Sequence, residues 1–326
     1  MNDTQNKPEP STHFRQKRAK LIYNPSAGTA KESPLNILDV VHEMQSWKLV
    51  PETYLVEPDS NLQEMVQDAL SRGIRLFVVC GGDGTISSVA YLLAGSRATL
   101  GIIPLGTRNN TALSLGIPED IPGAVAILRT GKRIKVDMGR VTCGGVSTPF
   151  LEVCSVGLVS ELFPSADDIQ HGNLGKVGEF LATLTAAPPA EMHLKLDGKL
   201  DLDSKGYVVL VANMPHIFLR YQVSTSAAYD DGLLDVLFFA DMSKLELLSY
   251  VLQGVGESMT DDPNVQHFRA RSLDIDTHPA MAVMADGIAL GEGEVHIEVR
   301  KRSLGVMAAE GQGKRPTPAK ETAAHG

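Results

Sequence analysis

The chain has only three cysteines, Cys80, Cys143 and Cys154, among its 326 residues, and their spacing forms no metal-ligand pair. This scarcity excludes a disulfide framework and a zinc site of paired cysteines, and it favours a reducing cytosol. No apolar run approaches the roughly 20 residues that a membrane-spanning helix needs. The polar N-terminal segment also lacks the apolar core of a signal peptide. We therefore expect a cytoplasmic protein, with peripheral contact at the inner membrane surface as the one form of membrane association left open.

The chain also lacks an excess of positive charge. It contains 30 Lys and Arg residues and 39 Asp and Glu residues, which give a formal net charge of -9. Nucleic-acid binding needs a positive footprint, so no nucleic-acid partner is expected. Hydrophobic residues at 43% and charged residues at 21% are typical of a globular protein, and the length allows two domains. The sequence does not fix the oligomeric state, and a homodimer stays open.

Strand and helix signals alternate in the first part of the chain, which predicts an α/β fold with a parallel sheet and helices on its faces. After about Lys135, strand-like segments separated by turn residues predict a mostly β, sandwich-like domain, with a hairpin at Asp197–Lys199. We expect a helix over 35–47 with an apolar face that includes Leu35, Leu38 and Val41, a strand over 48–57 broken by Pro51, and later helices over 175–187 and 243–254. The predicted division is a disordered tail (1–18), an α/β domain (19–134), a β-rich domain (135–299), a last strand (300–310) with a return to the first domain as one option, and a second disordered tail (311–326).

A glycine-rich stretch, GGDGT, follows the apolar run that ends at Cys80. Gly81, Gly82 and Gly84 allow the backbone to approach a ligand closely, and the helix that follows points unpaired N–H groups at the same place. This geometry suits phosphate, whereas the carboxylate of Asp83 repels it unless Mg2+ lies between them or Asp83 takes a proton from an attacking hydroxyl. The alternative is a tight strand-to-helix turn with Asp83 as the N-cap.

Two further polar loops follow predicted strands, NPSAG at 24–28 and PLGTRNNTAL at 104–113. In a parallel sheet, ligands bind outside the carboxyl ends of the strands, so three such loops predict one nucleotide site. The chain contains neither the P-loop consensus nor a G-x-G-x-x-G after the first strand, which leaves a P-loop NTPase and a dinucleotide fold without support.

NPSAG, GGDGT, PLGTRNN and, in the β-rich part, YDDGLLDV occur in this order, and together they resemble the diacylglycerol kinase catalytic-domain family. That family includes soluble bacterial lipid kinases and the sphingosine kinases, and the resemblance runs from about Lys20 to Ala309. It implies an ATP-dependent lipid kinase of lipid metabolism that transfers the γ-phosphate to the hydroxyl of a diacylglycerol-like lipid, with ATP and Mg2+ as cofactors and transient peripheral contact with the membrane. The α/β domain then binds nucleotide, and the β-rich domain binds the lipid substrate.

The resemblance also implies a set of site residues. The nucleotide contacts are Asn24, Pro25, Ser26, Ala27, Gly28, Thr53, Gly81, Gly82, Asp83, Gly84, Thr85, Ile86, Ser87, Ser88, Gly106, Thr107 and Asn109. A structural Mg2+ would be held by the carboxylate of Asp231 and the main-chain carbonyls of Ala228 and Leu233. Ordinary turn chemistry in a D-D-G sequence is the alternative for Asp231.

The chain departs from the family pattern where members usually carry D-G-E, because Ile288 follows Asp286 and Gly287. Isoleucine cannot accept a proton, so Asp83 or Asp286 would do so, or a loop shift would bring in Glu292 or Glu294, or the reaction has been lost.

Two other positions also differ from the family. Asn110 stands where the family has aspartate, and a segment with Phe218, Leu219 and Tyr221 replaces a glycine-rich turn. These apolar residues would line a lipid pocket or form a core strand. The rival functions are an NAD kinase-like phosphotransferase acting on a soluble substrate and a catalytically inactive nucleotide- or lipid-binding homologue.

Overall fold

Four parallel strands, in the spatial order β4–β3–β1–β2, form the sheet of the first half. Strands β3 and β4 are buried along their whole length, as expected of strands with helices on both faces. The elements of this half are β1 (Lys17–Tyr23), α1 (Asn36–Ser46), β2 (Leu49–Leu55), α2 (Leu62–Ser71), β3 (Leu76–Gly81), α3 (Asp83–Leu93), β4 (Thr99–Pro104), α4 (Asn110–Ser114) and α5 (Ile121–Thr130). Helices that alternate with parallel strands confirm the predicted α/β fold.

The computed structural model describes residues 14–28, 36–158, 188–218, 221–244, 246–247, 258–261 and 265–309. The predicted helix over 175–187, most of the helix predicted over 243–254, Leu219, residues 1–13 of the first predicted tail and all of the second lie outside these ranges. No helix in the described ranges is long and apolar enough to cross a lipid bilayer.

Three details of the first half differ from expectation. Strand β1 begins at Lys17, two residues before the predicted domain border, because Lys17 pairs with Leu49 of β2. Pro51 does not break β2, which lies at the edge of the sheet, where a missing N–H costs no ladder partner. The predicted apolar face of α1 is wrong at Leu38, which is 63% exposed, whereas Val41 is partly buried against the core. The fully buried side chains are Val40 and Met44 of α1 and Trp47 just after it.

The second half consists of strands joined mainly in antiparallel pairs. Leu196 pairs with Leu200, and the turn between them is closed by the N–H of Lys199, which donates to the carbonyl of Leu196 at 3.0 Å. Asp197 and Gly198 at its centre both have positive φ, so the predicted hairpin between β8 and β9 is confirmed. The elements are β5 (Lys132–Cys143), β6 (Val146–Phe150), β7 (Val153–Gly157), β8 (Ala190–Leu196), β9 (Leu200–Ala212), β10 (His216–Ile217), β11 (Tyr221–Gln222), β12 (Leu234–Ala240), a 3-10 turn (Met259–Asp261), β13 (Val265–Ala270), β14 (Ser272–His278), β15 (Ala282–Ala285), β16 (Ile288–Glu292) and β17 (Val295–Ala308).

Strand β12 and the second part of β9, from Gly206 to Ala212, are buried on both faces. Alternate side chains of β9, such as Val209 and Val208, enter two different hydrophobic clusters on opposite sides of the strand. This alternation is typical of layered β structure. It gives the second half the sandwich-like character that the sequence predicts.

Strand β17 belongs to both halves. It pairs antiparallel with β14 and β5, and further along the chain it pairs parallel with β4, where Val306 lies opposite Leu100. The register shifts between Arg300 and Leu304, an irregularity that bends the strand between its pairing with β14 and its pairing with β4, while β5 pairs with it on both sides of the shift. The two halves therefore form one continuous sheet, and β17 fixes the first half against the second.

A buried carboxylate stabilises the irregular part of β17. Asp137 on β5 accepts the backbone N–H of Arg302 at 2.5 Å and that of Gly232 at 2.6 Å. Burial raises the pKa of Asp137, while the two backbone hydrogen bonds act in the opposite direction. Asp137 thus connects the D-D-G turn to the bend of β17.

Candidate functional site

The three loops singled out in the sequence meet at three glycines. A Cβ added to Gly106 would lie 2.5 Å from the Cα of Gly82, and one added to Gly28 would lie 2.9 Å from the backbone carbon of Gly106. Such distances exclude any side chain at these contacts. The structure therefore places the loops after β1, β3 and β4 against one another at the carboxyl edge of the parallel sheet.

The N-terminus of α3 lies at the centre of this arrangement. Its N-cap is Gly82, which has no side chain to occupy the first N–H groups of the helix. Asn24 of the first loop donates from Nδ2 to Oγ1 of Thr85 at 2.8 Å and so holds that loop against the first turn. The N–H groups of Asp83 and Gly84 have no acceptor within the helix, and the positive end of the helix dipole points the same way. These features together suit an anion.

The third loop is closed by its own asparagine. Asn109 has a φ of 54°, its Oδ1 accepts the N–H of Gly106, and its Nδ2 donates to the carbonyl of Gly106, both at 2.9 Å. Because this side chain is turned back into the loop, it makes no capping hydrogen bond to α4. The first N–H groups of α4 are thus left for another acceptor.

Asp83 is that acceptor. Its Oδ2 accepts the N–H of Asn110 and its Oδ1 accepts the N–H of Thr111, each at 3.1 Å. The interpretation of Asp83 as the N-cap of its own helix is therefore wrong, since Gly82 occupies that position and Asp83 caps the neighbouring helix instead. A partly exposed carboxylate is thereby held beside the three loops.

Glu152, a residue that the sequence interpretation missed, lies next to Asp83. It is only 6% exposed, and it accepts hydrogen bonds from Thr111 Oγ1 at 2.8 Å and Asn110 Nδ2 at 3.4 Å. Burial, followed by the nearby carboxylates of Asp83 and Asp286, raises the pKa of Glu152 well above its usual value. A single acidic residue inside the apolar run PFLEVCSVG was the sequence signal that could have identified it.

Asp286 completes the cluster from the turn between β15 and β16. Its carboxylate accepts the backbone N–H groups of Leu151, Glu152 and Val153 at 2.6–2.9 Å and the hydroxyl of Tyr91 at 2.7 Å. Burial raises the pKa of Asp286, although these hydrogen bonds favour its charged form. With four donors in place, Asp286 fixes the segment 151–153 rather than facing a ligand.

The other predicted site residues are distributed as follows. The side chains of Ile86 and Ser87 are buried, so they stabilise α3. Thr53 lies on the edge strand β2, opposite Leu21 of β1. Leu21 comes three residues before Asn24, where the first loop begins. Glu292, the last residue of β16, and Glu294, two residues further on, are both exposed, and Glu292 lies about 13 Å from Ile288 at the spacing of a strand. The structure therefore brings Asp83 and Asp286 together but leaves both glutamates away from them.

Asp231, the carboxylate proposed to hold a structural Mg2+, is already paired with a cationic side chain. Arg269 on β13 forms an ion pair with Asp231, and the N–H of Leu233 donates to the same carboxylate at 3.0 Å. In the part of the chain that the structure describes, no group of three or more His, Cys, Asp or Glu side chains is arranged to hold a metal ion. As they stand, these contacts do not leave Asp231 open to a metal. The Mg2+ assignment to Ala228, Asp231 and Leu233 stays a prediction.

The apolar segment near the site is divided between core and turn. Tyr221 is buried in the hydrophobic cluster beneath β9, whereas Phe218 forms the turn between β10 and β11 with a φ of 54°. The carbonyl of Phe218 accepts a hydrogen bond from Asn110 Nδ2 at 2.8 Å. This segment therefore links the second half to α4, directly beside the carboxylates.

Comparison with known proteins agrees with this organisation. Residues 18–141 match the family model of the diacylglycerol kinase catalytic domain, and residues 165–308 match that of the YegS C-terminal NAD kinase beta sandwich-like domain. The chain is 25% identical to a diacylglycerol kinase of Bacillus subtilis (strain 168) over 277 residues, 83% of this chain and 89% of that protein. It is 28% identical to a diacylglycerol kinase of Mycobacterium tuberculosis (strain ATCC 25618 / H37Rv) over 229 residues, 69% of this chain and 74% of that protein.

A crystal structure of a diacylglycerol kinase from Bacillus anthracis str. Sterne has the same fold, with a TM-score of 0.69 at 20% identity over 90% of this chain and 97% of that one. The chain thus has an α/β half with a glycine-lined site joined to a β-sandwich-like half, the two-domain order that the two family models describe. Since two consecutive family models match most of its length, the chain belongs to the diacylglycerol kinase catalytic-domain family.

Proposed function

We propose that this protein transfers the γ-phosphate of ATP to the hydroxyl group of a lipid. The observation that supports this most directly is the contact of three glycine-containing loops around the open N-terminus of α3, with Asp83 at their centre. This arrangement offers backbone N–H groups to a triphosphate and a carboxylate to the reacting groups. The names of the relatives extend the proposal to a diacylglycerol-like acceptor.

In the proposed reaction, the O–H bond of the acceptor breaks, an O–P bond forms to the γ-phosphorus, and the bond from that phosphorus to the bridging oxygen of ADP breaks. The loops hold the triphosphate, and a carboxylate of the cluster receives the proton. Asp83 suits this site because it is partly exposed and each of its oxygens accepts only one of the two backbone hydrogen bonds. Asp286 has four donors, and Glu152 is buried.

Mg2+ fits the same centre. It usually binds through one or two carboxylates together with phosphate oxygens, and Asp83 is the protein residue that would hold it. When bound, the ion would neutralise charge on the phosphates. Asp83 is therefore required whether it holds the ion or accepts the proton.

Two exposed apolar side chains support a lipid acceptor. Ile288 is 46% exposed two residues after Asp286, and Leu113 is 38% exposed on α4, three residues after Asn110. Apolar side chains in these positions suit acyl chains that approach the carboxylates from a membrane surface. The proposal therefore includes transient peripheral contact with a bilayer.

The decisive experiment incubates the purified protein with Mg-ATP and either a total lipid extract or NAD, and identifies the phosphorylated products by mass spectrometry. Phosphorylation of a lipid with no change in NAD supports the proposal. Phosphorylation of NAD would favour a soluble-substrate phosphotransferase. Binding of ATP without transfer to either acceptor would favour an inactive homologue, for which Ile288 in place of glutamate is the main argument.

A further inference from the structure

Glu152 is an unusual residue to find buried. It lies in the segment between β6 and β7 with 6% of its surface exposed. A buried carboxylate is costly unless other groups stabilise it, and the two side chains that donate to it, from Thr111 and Asn110, are neutral. A buried acid held by neutral donors beside two further carboxylates adds little to stability, so its position calls for another explanation.

The donors to Glu152 are the same residues that hold Asp83. Asn110 and Thr111 use their backbone N–H groups for the carboxylate of Asp83 and their side chains for that of Glu152. The first turn of α4 is thus fixed from both sides. Without Glu152, Asn110 would still donate to the carbonyl of Phe218 at 2.8 Å, but the Thr111 hydroxyl would lose its acceptor, and the two N–H groups that orient Asp83 would be held less firmly.

The backbone of Glu152 belongs to the second half of the protein. Its N–H donates to Asp286 at 2.9 Å, and its carbonyl accepts the N–H of Asn213 at 2.8 Å. Asp286 in turn accepts the hydroxyl of Tyr91, which lies on α3, the helix that begins with Asp83. These hydrogen bonds therefore connect α3 to α4, α4 to the second half of the protein, and the second half back to α3.

We propose that Glu152 is a positioning residue for phosphoryl transfer, which orients Asp83 by holding the side chains of Asn110 and Thr111. This inference rests on the proposed function and adds a residue to it. Glu152 acts through its neighbours and does not touch the substrates. It makes the orientation of Asp83 depend on correct docking of the second half.

The test compares variants that change these contacts with little change in size. Glu152→Gln keeps an acceptor for Thr111 but alters the contact with Asn110, and Thr111→Val removes the hydroxyl that Thr111→Ser retains. We expect Glu152→Gln and Thr111→Val to lower kcat up to about 100-fold, the effect of misplacing a reacting group by about 1 Å, with the KM for ATP unchanged. Thr111→Ser should recover most of the activity. Glu191→Gln, at an exposed glutamate of β8, is the matched control and should behave as wild type.

A second readout does not need activity. Hydrogen–deuterium exchange of the peptide that contains 110–114 should be faster in Glu152→Gln and Thr111→Val than in wild type and Glu191→Gln. Normal kcat with normal exchange in both variants would overturn the inference. Equal loss of kcat and of ATP binding would also overturn it, since that pattern indicates general damage to the fold. If the wild type itself transfers no phosphate, the proposed function fails, and the exchange measurement still decides whether Glu152 holds α4.

Discussion

The carboxylate of Asp83, the first residue of α3, accepts the backbone N–H of Thr111, the second residue of α4, at 3.1 Å. An aspartate at the start of one helix therefore caps another helix and is fixed beside the three loops. This relationship gives one residue two tasks, because the oxygens that would serve the reaction also stabilise α4. Substitutions that remove one contact at a time separate such structural tasks from catalytic ones.

Replacing Asp83 with Asn should lower kcat for lipid phosphorylation by about 100-fold or more, because the amide neither accepts a proton nor binds Mg2+ as a carboxylate does. Binding of Mg-ATP, measured by calorimetry, should weaken much less than kcat. Asp120→Asn is the matched control, since Asp120 caps α5 and asparagine is an equally good N-cap. Full activity in Asp83→Asn would refute the assignment of this site.

Alanine at Gly106 should destabilise the protein by about 1–3 kcal/mol, because its Cβ would meet the backbone of Gly82 and one of the two loops would have to move. Gly84→Ala provides the comparison, since nothing lies within 4 Å of a Cβ at that helical position. Its free energy of unfolding should stay the same or rise by up to about 1 kcal/mol. If phosphate binds at the start of α3, Gly84→Ala should nevertheless weaken ATP binding. Thermal unfolding and calorimetry of both variants give the two quantities.

Asp137→Ala should lower the free energy of unfolding by about 2–4 kcal/mol, because it leaves the buried N–H groups of Gly232 and Arg302 without their acceptor. Urea unfolding monitored by circular dichroism provides the measurement. Asp276→Ala, which removes an exposed carboxylate from β14, should have a much smaller effect. Equal effects from the two substitutions would show that Asp137 does not hold the D-D-G turn to β17.

The raised pKa of Glu152 has a consequence for stability as a function of pH. Between its usual pKa of 4.5 and the higher pKa in the folded state, the folded protein binds more protons than the unfolded chain. The contribution of Glu152 is therefore complete below pH 4.5 and decreases as the pH rises through the folded-state value, by about 1.4 kcal/mol for each unit of raised pKa. As the pH rises from 4.5 to the folded-state pKa of Glu152, the free energy of unfolding should fall less in Glu152→Gln than in wild type. Parallel melting curves in the two proteins from pH 4.5 to 8 would contradict this explanation.

Local patterns were sufficient to predict the parallel sheet and the glycine loops, because each strand and turn is encoded by neighbouring residues. The buried run before Gly81 and the type I′ signal at Asp197 are such cases. Glu152 and Asp137 were not predicted, since their partners lie far away in the sequence and only the fold brings them together. The helix α4 was also missed, because five residues are too few to show a helical period.

The apolar face of α1 was misassigned for a different reason. Two faces of this helix carry apolar residues, one with Leu38 and one with Val40 and Met44. The fold buries the face with Val40 and Met44, and the local sequence does not indicate which of the two faces is buried. The sequence alone showed that isoleucine occupies position 288 instead of glutamate. It did not show that Glu152 is the carboxylate next to Asp83, because that contact depends on packing between the two halves.

The shared strand β17 has a consequence for how the protein is made. Proteins emerge from the ribosome with the N-terminal part first, but β4 obtains its partner Val306 only long after β4 itself has been synthesised. Until then the nascent first half exposes an unpaired β edge, which is prone to association with other chains. Maturation of both halves is therefore one late event, and a ribosome that stalls before residue 295 releases a product in which neither half is complete.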